Sequence, residues 1–519
     1  MTTDQMDTAA TTEAAETYTA KFWAFREVLR EDGLSTAEYL ELLAFLFLLR
    51  ILDDTYQADV RLRQWNSRHP EPSRWRSFRD ALPDDLAQHL QHAVDSLDAT
   101  LEELGIGKIV SGTRVAPCPP ARLIRLADLI EEIWPVRPAG TDIVGNVYER
   151  LMALAAAEGK GEIGQLFTPR ALVDAMVAVT LPTWRDTVMD PACGTGGFLV
   201  AARAHARQHA AESLASGRGA FELQIVVRGV ELVPLAARLA ATNLLLHGPT
   251  AAEDEPTIRI GNALTSLPGE VSLVLTHPPF GVRSPITVHA AGDSLSWDRL
   301  LHDRHALSHS RRDFVSSTVN RPLKFLQHVT SLLKPGGRAA VIVPDNVLFT
   351  AGDGETVRRH LLANFNVHTL LRLPAGAVVP GGLRSNVMFF DRPAQSQRGT
   401  PSTRQLWVYD LRFERPSRTK CAALQRDDFD DFVACYLPGQ EPDERTETER
   451  FKAFAYEDLI ARDTVNLDLS WAEDSTEDVY RPAHVIAQEI VNDLGVALSE
   501  FSAIADTLRA RHVESDDGW

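Results

Sequence analysis

The spacing of apolar residues changes along the chain, and each texture predicts a different kind of structure. From residue 18 to about 137 the pattern is helical. Ser35 is followed three residues later by Glu38, a capping-box arrangement, and apolar residues then continue to Leu52. They are unbroken from Leu42 to Leu49, between Glu41 and Arg50. Such a run predicts a buried helix of a bundle, and it falls short of the roughly 20 apolar residues a membrane span needs. Ala116–Pro120 holds three prolines and predicts a loop. The first stretch, MTTDQMDTAATTEAAET, has no basic start and no apolar core. Residues 1–17 are therefore expected to be a disordered tail rather than a signal peptide.

Residues 138–395 alternate short β-rich runs with helical stretches. The strand candidates are Val188–Met189, Ile225–Val230, Ile258–Ile260, Leu273–Thr276, Ala339–Val343, His368–Leu373 and Val387–Phe390. Gly- and Pro-bearing loops such as Lys334-Pro335-Gly336-Gly337 separate them. This alternation predicts a doubly wound α/β sheet. Residues 396–519 begin as a polar linker and end in a helical pattern. Ile490, Leu494, Ala497, Phe501, Ile504 and Leu508 form a heptad seam. That helix either packs on its own domain or offers a coiled-coil face to a partner. His302, His305 and His309 have a spacing that a helix would bring to one face, but the polar surroundings read as a solvated loop and no metal site is expected.

Composition changes the picture in two ways. The four cysteines, Cys118, Cys193, Cys421 and Cys435, form no close pair, so neither a zinc site nor a disulfide framework is indicated. A reduced, cytoplasmic compartment is the natural expectation. The formal net charge of −18 is unlike a protein that grips a nucleic-acid backbone alone. Any binding to DNA would need a local basic face or a partner.

Three constellations carry candidate chemistry. Asp190-Pro-Ala-Cys-Gly-Thr-Gly-Gly-Phe198 follows a strand and precedes a helix. Its glycines allow a sharp turn and close approach to a ligand. No lysine follows them, so a phosphate-cradling P-loop is not indicated. About 40 residues on, Gly229-Val230-Glu231 ends another strand, where an acidic side chain suits ribose hydroxyls. Together these predict a nucleoside cofactor. A nicotinamide dinucleotide competes for that role, although the glycine pattern differs from its usual fingerprint.

The second constellation is Gly161-Glu-Ile-Gly-Gln-Leu-Phe-Thr-Pro-Arg170. Phe167 can cover a flat ligand surface, while Thr168 and Pro169 are expected to cap the helix from Arg170. The third is Thr276-His-Pro-Pro-Phe-Gly281. Two prolines stiffen the strand exit and leave the carbonyl of Pro278 without local pairing, and Phe280 offers a stacking face. Such a loop suits a flat amine such as a flipped-out base. A rigid turn closing a strand is the plainer alternative.

These motifs in this order resemble the DNA amino-methyltransferases of the adenine-modifying class. Longer stretches resemble the modification subunits of type I restriction–modification systems: TAEYLELLAFLFLLRILDD, GEIGQLFTPRALVDAMV, FLQHVTSLLKPGGRAAVIVPDNVLF, LRLPAGAVVPGGLRSNVMFF and NLDLSW. The resemblance runs in order over roughly residues 20 to 510. It implies a Rossmann-like class I S-adenosylmethionine-dependent methyltransferase core at 138–395. A helical domain at 18–137 would precede it, and a helical tail at 396–519 would follow.

By position, the resemblance implies that Gln165, Leu166, Phe167, Thr168 and Pro169 line the cofactor. Asp190, Ala192, Cys193, Gly194, Thr195, Gly196 and Gly197 would hold its amino-acid part, Glu231 its ribose, and Asn262 its adenine. His277, Pro278, Pro279 and Phe280 would handle the target base. The family usually has Asp where Asn262 stands, and an amide oxygen can still accept from an adenine amine. At His277 it has Asn, or in relatives Asp or Ser, whose oxygen accepts a hydrogen of the target amine together with the first proline's carbonyl. A neutral imidazole offers one acceptor nitrogen and a protonated one offers none. By analogy with other polarising groups, loss of that acceptor would slow transfer about 10²–10³-fold.

The resemblance also implies partners: DNA, a specificity subunit docked through residues 483–509, a second modification subunit and an ATP-driven restriction subunit. Two main readings stand open. One is an active adenine-N6 methyltransferase; the other is a catalytically impaired, S-adenosylmethionine-binding scaffold or sensor in a defence complex. Methylation of a protein glutamine amide is a third, weaker one.

Overall fold

The computed structural model describes residues 3–58, 75–81, 85–134, 143–158, 167–213, 225–248, 256–265, 269–280, 286–290, 307–311, 313–378, 383–395, 400–414, 424–440, 442–461 and 464–471. The chain divides into two units, Met1–Asp468 and Leu469–Trp519, and all that follows concerns the first. The heptad seam and the docking helix expected at 483–509 lie outside the described residues, as do Gln165, Leu166, His302 and His305.

The amino-terminal helices are α1 (Thr3–Glu31), α2 (Thr36–Ala58), α3 (Trp75–Asp80), α4 (Leu86–Glu103), α5 (Pro120–Ile133) and α6 (Ile143–Ala157). The capping box forms as expected. The Ser35 amide donates to Glu38 at 2.8 Å and the Glu38 amide to Ser35 Oγ at 3.2 Å. Every side chain from Leu42 to Leu49 is at most 1% exposed. Each fully buried Leu or Phe of that run contributes about 1.5–3 kcal/mol. Within the stretch 1–17, helix α1 is already formed from Thr3 and buries Ala15.

The second half is built on a nine-stranded sheet ordered β11-β10-β8-β9-β7-β4-β1-β2-β3. Its strands are β1 (Thr187–Asp190), β2 (Val226–Glu231), β3 (Ile258–Ile260), β4 (Val271–Thr276), β7 (Leu333–Pro344), β8 (Asn366–Arg372), β9 (Ser385–Asp391), β10 (Gln405–Asp410) and β11 (Phe451–Ala455). Strands β3, β2, β1, β4 and β7 run parallel, and β9 lies antiparallel between β7 and β8. Every predicted strand is present. A separate parallel pair, β5 (Ile286–Ala290) and β6 (Leu307–Arg311), was not predicted. His309 lies in β6, so the one described member of the three-histidine set is not helical.

The central sheet continues past residue 395. Strand β10 continues the same sheet beside β8, and β11 closes it antiparallel. The Lys334–Gly337 loop also differs. It is absorbed into β7 as a bulge, where Val271 pairs Leu333 but Leu273 pairs Arg338.

Helix α7 (Arg170–Thr180) leads into β1, while α8 (Gly197–Ser213) and α9 (Pro234–Leu246) connect β1 to β2 and β2 to β3. Residues Ala236 to Leu246 are all buried, because α9 lies between the sheet and the amino-terminal α2, where Arg238 pairs with Glu41. The amino-terminal domain also covers the sheet's β3 edge. The amides of Thr257 and Ile258 donate to the carbonyls of Gly105 and Ile106 at 2.7 and 2.9 Å. Gly107 follows with φ +116°, and a Cβ there would stand 2.7 Å from the Ile258 carbonyl oxygen. Only glycine allows that close approach, which removes an exposed edge.

Candidate active site

The crevice lies where strand order reverses, between β1 and β4, at the carboxyl ends of the parallel strands. Four strand ends deliver the predicted residues into it: Asp190 from β1, Glu231 from β2, Asn262 just past β3, and His277–Phe280 just past β4.

Asp190 is buried and held at one oxygen. Oδ1 accepts from the Ala192 amide at 3.0 Å and from the Thr276 hydroxyl at 2.7 Å. Burial pushes its carboxyl up to about 7, and the neighbouring Glu231 adds to that rise. From Asp190 the chain turns tightly. Gly194 and Gly196 have φ of +53° and +80°, and a Cβ on Gly196 would stand 3.3 Å from that of Ala240. The turn opens into α8 at Gly197, so a helix N-terminus also faces the crevice. The Thr195 carbonyl is anchored by Asn243 Nδ2 at 3.1 Å.

Glu231 is fixed at both oxygens, by the Gly194 amide at 2.9 Å and the Val233 amide at 2.8 Å. Each oxygen keeps a lone pair for a hydroxyl donor. The Gly261 amide donates to the Glu231 carbonyl at 2.8 Å and so places Asn262 beside it. Asn262 Oδ1 accepts from the Leu264 amide at 3.0 Å, which takes one of the two lone pairs expected to face an adenine amine.

On the β4 side, Pro278 is buried and His277, Pro279 and Phe280 are half-buried. Burial pushes the His277 imidazole down to about 4, so the ring is neutral near pH 7. Its Nδ1 lies 3.0 Å from Thr168 Oγ1. The Phe280 ring meets it edge-on, with centroids 5.0 Å apart and planes at 68°. The expectation that Thr168 and Pro169 cap α7 is corrected here. Pro169 is the N-cap residue but no side chain caps the helix; the Pro169 carbonyl accepts from Leu172 and Val173, and the Thr168 hydroxyl turns to His277. Phe167 packs half-buried against the core nearby.

Sequence reasoning missed three supports. Thr276 holds Asp190, and Glu149 links Arg170 to Asn243. Arg311 Nη1 holds the Leu264 carbonyl at 2.9 Å. Thr276 had a readable signal, as the polar residue that ends the apolar run Leu273–Leu275. The other two depend on pairs more than 20 residues apart, which no local pattern displays.

The residues fit S-adenosylmethionine. Asp190 is a buried acidic group with no cation among its hydrogen-bond partners, and the neighbouring Glu231 keeps acceptor capacity at both oxygens for hydroxyl donors. Fold and site together define a Rossmann-like class I S-adenosylmethionine-dependent methyltransferase, with an added helical domain. The N-6 DNA methylase family profile matches residues 139–478. The methylase subunit of the type I restriction enzyme StySJI from Salmonella typhimurium is 31% identical, over 95% of each chain. The EcoKI methylase subunit from Escherichia coli K12 is also 31% identical with 95% coverage of each. A chain from a structure of a type I restriction–modification system superposes with TM-score 0.66 at 24% identity, over 95% of this chain and 98% of that one. This chain belongs to the N-6 DNA methylase family, among the modification subunits of type I restriction–modification systems. No helix among the described residues is long and apolar enough to cross a membrane.

Proposed function

We propose that the chain transfers a methyl group from S-adenosylmethionine to the N6 amine of adenine in DNA, as the modification subunit of a larger cytoplasmic complex. The observation that carries this reading is the convergence of Asp190, Glu231, Asn262 and the His277–Phe280 loop at one crevice. Asp190 faces the cofactor's ammonium group, Glu231 its ribose hydroxyls, and Asn262 its adenine. Phe167 covers one side, and Gln165 and Leu166 precede it in sequence. Bound there, S-adenosylmethionine supplies a methyl group on a sulfonium, which needs a nucleophile but no strong base.

The chain's own residues prepare that nucleophile. Phe280 stacks on a base taken out of the duplex. The carbonyl of Pro278 accepts one hydrogen of its amine and a neutral His277 nitrogen the other. This draws the nitrogen lone pair out of conjugation with the ring. Recognition of the DNA sequence falls to a specificity subunit, which also answers the net charge of −18. A second modification subunit and a restriction subunit complete the assembly.

The test is coexpression with the partner specificity subunit, followed by sequencing of host DNA for modified adenine. The native pair marks one defined motif and Asp190→Ala abolishes the mark. A second reading draws on His277, which offers one acceptor where an amide or carboxylate is usual. If an assembled native complex binds cofactor but marks nothing while His277→Asn marks DNA, the chain is a binding scaffold. Methylation of a protein without methylation of DNA would favour the glutamine reading instead.

A further inference from the structure

We propose that Thr168 is the positioning residue that makes His277 usable: its hydroxyl accepts the hydrogen on Nδ1 and leaves Nε2 as the bare acceptor for the target amine. This rests on the reading of His277 as an amine acceptor. The contact of 3.0 Å between Thr168 Oγ1 and His277 Nδ1 fixes which ring nitrogen is engaged, and so leaves Nε2 as the other. Phe280, edge-on at 5.0 Å, restricts the ring's rotation.

The hydroxyl comes from a stiff support. Pro169 fixes the backbone next to it and accepts the first amides of α7. Arg170 is tied to Glu149 at 2.5 Å and to Asp174 at 2.8 Å.

A neutral imidazole has one donor nitrogen and one acceptor, and the bond made by one decides the other. If Thr168 donated to Nδ1, Nε2 would carry hydrogen and oppose the amine, donor against donor. If Thr168 accepts, Nε2 and the Pro278 carbonyl together take both amine hydrogens. Asparagine needs no such selection, since its amide oxygen accepts without any change of tautomer. The need for Thr168 therefore arises from the histidine. Burial supports the scheme by keeping the ring uncharged near pH 7.

The experiment uses the full chain with S-adenosylhomocysteine and 15N-labelled histidine. The His277 signals are identified among the 16 histidines by their loss in His277→Asn. The expected spectrum shows Nδ1 protonated and Nε2 bare, with Thr168→Val mixing the two forms. Single-turnover methylation is measured in parallel on the complex with its specificity subunit and DNA. Thr168→Val slows it about tenfold or more, the effect of one lost hydrogen bond. Thr168→Ser restores most of the rate. In the His277→Asn background, with S-adenosylmethionine at saturation, the same valine substitution slows transfer clearly less than it does beside the native histidine, because the two residues act as one unit. Calorimetry with S-adenosylhomocysteine separates this from weakened cofactor binding.

A native spectrum with Nε2 protonated overturns the proposal, as does equal slowing by Thr168→Val in both backgrounds. If the native complex transfers no methyl group, the methyltransferase reading fails and takes the catalytic consequence of Thr168 with it, while the spectrum still decides whether Thr168 sets the His277 tautomer.

Discussion

The two halves of the crevice are fastened differently. On the β1–β3 side, backbone amides hold each functional side chain, joined at Asp190 by the Thr276 hydroxyl. Ala192 holds Asp190, Gly194 and Val233 hold Glu231, and Leu264 holds Asn262. On the β4 side, His277 is held by another side chain, the hydroxyl of Thr168, and by the edge of Phe280. A side chain that shapes its own loop's path cannot change without moving the loop. A ring held by one hydroxyl can be exchanged when a single partner suits it. On the reading proposed above, His277 falls on the half where a single partner can accommodate an exchange.

The largest break in this comparison comes from Asp190→Ala. It removes a buried acceptor that organises the turn and that, on the proposed reading, faces the cofactor's ammonium. Cofactor affinity should fall about 10²–10³-fold by calorimetry, the range seen when one partner of a buried charge pair is truncated. Retention of affinity within threefold would move the amino-acid site elsewhere in the crevice.

Asp190 and His277 also differ in titration, since of these two only Asp190 changes charge near neutral pH. A bound ammonium favours charged Asp190, so protonation of that carboxyl competes with binding. Affinity should therefore weaken as pH falls below about 7. The loss approaches about tenfold per pH unit if Asp190 alone is responsible. His277, with its imidazole at about 4, adds no such dependence to methyl transfer between pH 6 and 9.

Stability carries the opposite sign. A carboxyl raised above its ordinary value of 3.8 destabilises the fold as pH rises past that value, fully so above 7. Asp190→Asn should raise the melting temperature at pH 8 and leave it nearly unchanged at pH 4, while binding cofactor less tightly at pH 8. An equal shift at both pH values would assign the stabilisation to packing instead.

Backbone freedom in the cofactor half gives a smaller effect. Gly196 sits at φ +80°, so Gly196→Ala strains the backbone by about 1–2 kcal/mol and presses on Ala240. Cofactor affinity should weaken several-fold with little loss of helicity by circular dichroism. An unchanged affinity would mean that the turn relaxes without disturbing Asp190 or Glu231.

The same comparison explains what was legible. Strand ends were readable because apolar runs such as Leu273–Leu275 stop at polar residues, and all seven predicted strands belong to the central sheet. Asp190, Glu231 and the His277–Phe280 loop were readable because the first two end their strands and the loop directly follows its own. The role of Thr168 was not. The Thr-Pro pair before a helix satisfies a local capping rule, and only the fold brings His277 within reach, 109 residues away. The strands β10 and β11 were hidden for a related reason. They join the sheet after polar segments that read locally as a linker. The β3 edge cover at Gly105–Gly107 is likewise a tertiary contact made by a loop.

The smallest test is Asn262→Asp. Asn262 Oδ1 already accepts from the Leu264 amide, which stabilises the short turn Ala263–Thr265. An aspartate keeps that bond and replaces the amide nitrogen with a second acceptor oxygen. The added oxygen can take a hydrogen from the cofactor's adenine amine, but Glu231 is adjacent through the Gly261 contact, and two carboxylates there repel. The gain and the repulsion oppose each other, so affinity should change by less than about tenfold. The sign is informative in either direction. Tighter binding would place the adenine amine at the amide-nitrogen side of Asn262. Weaker binding, relieved by added salt, would assign the difference to Glu231 and explain why an uncharged residue occupies this position.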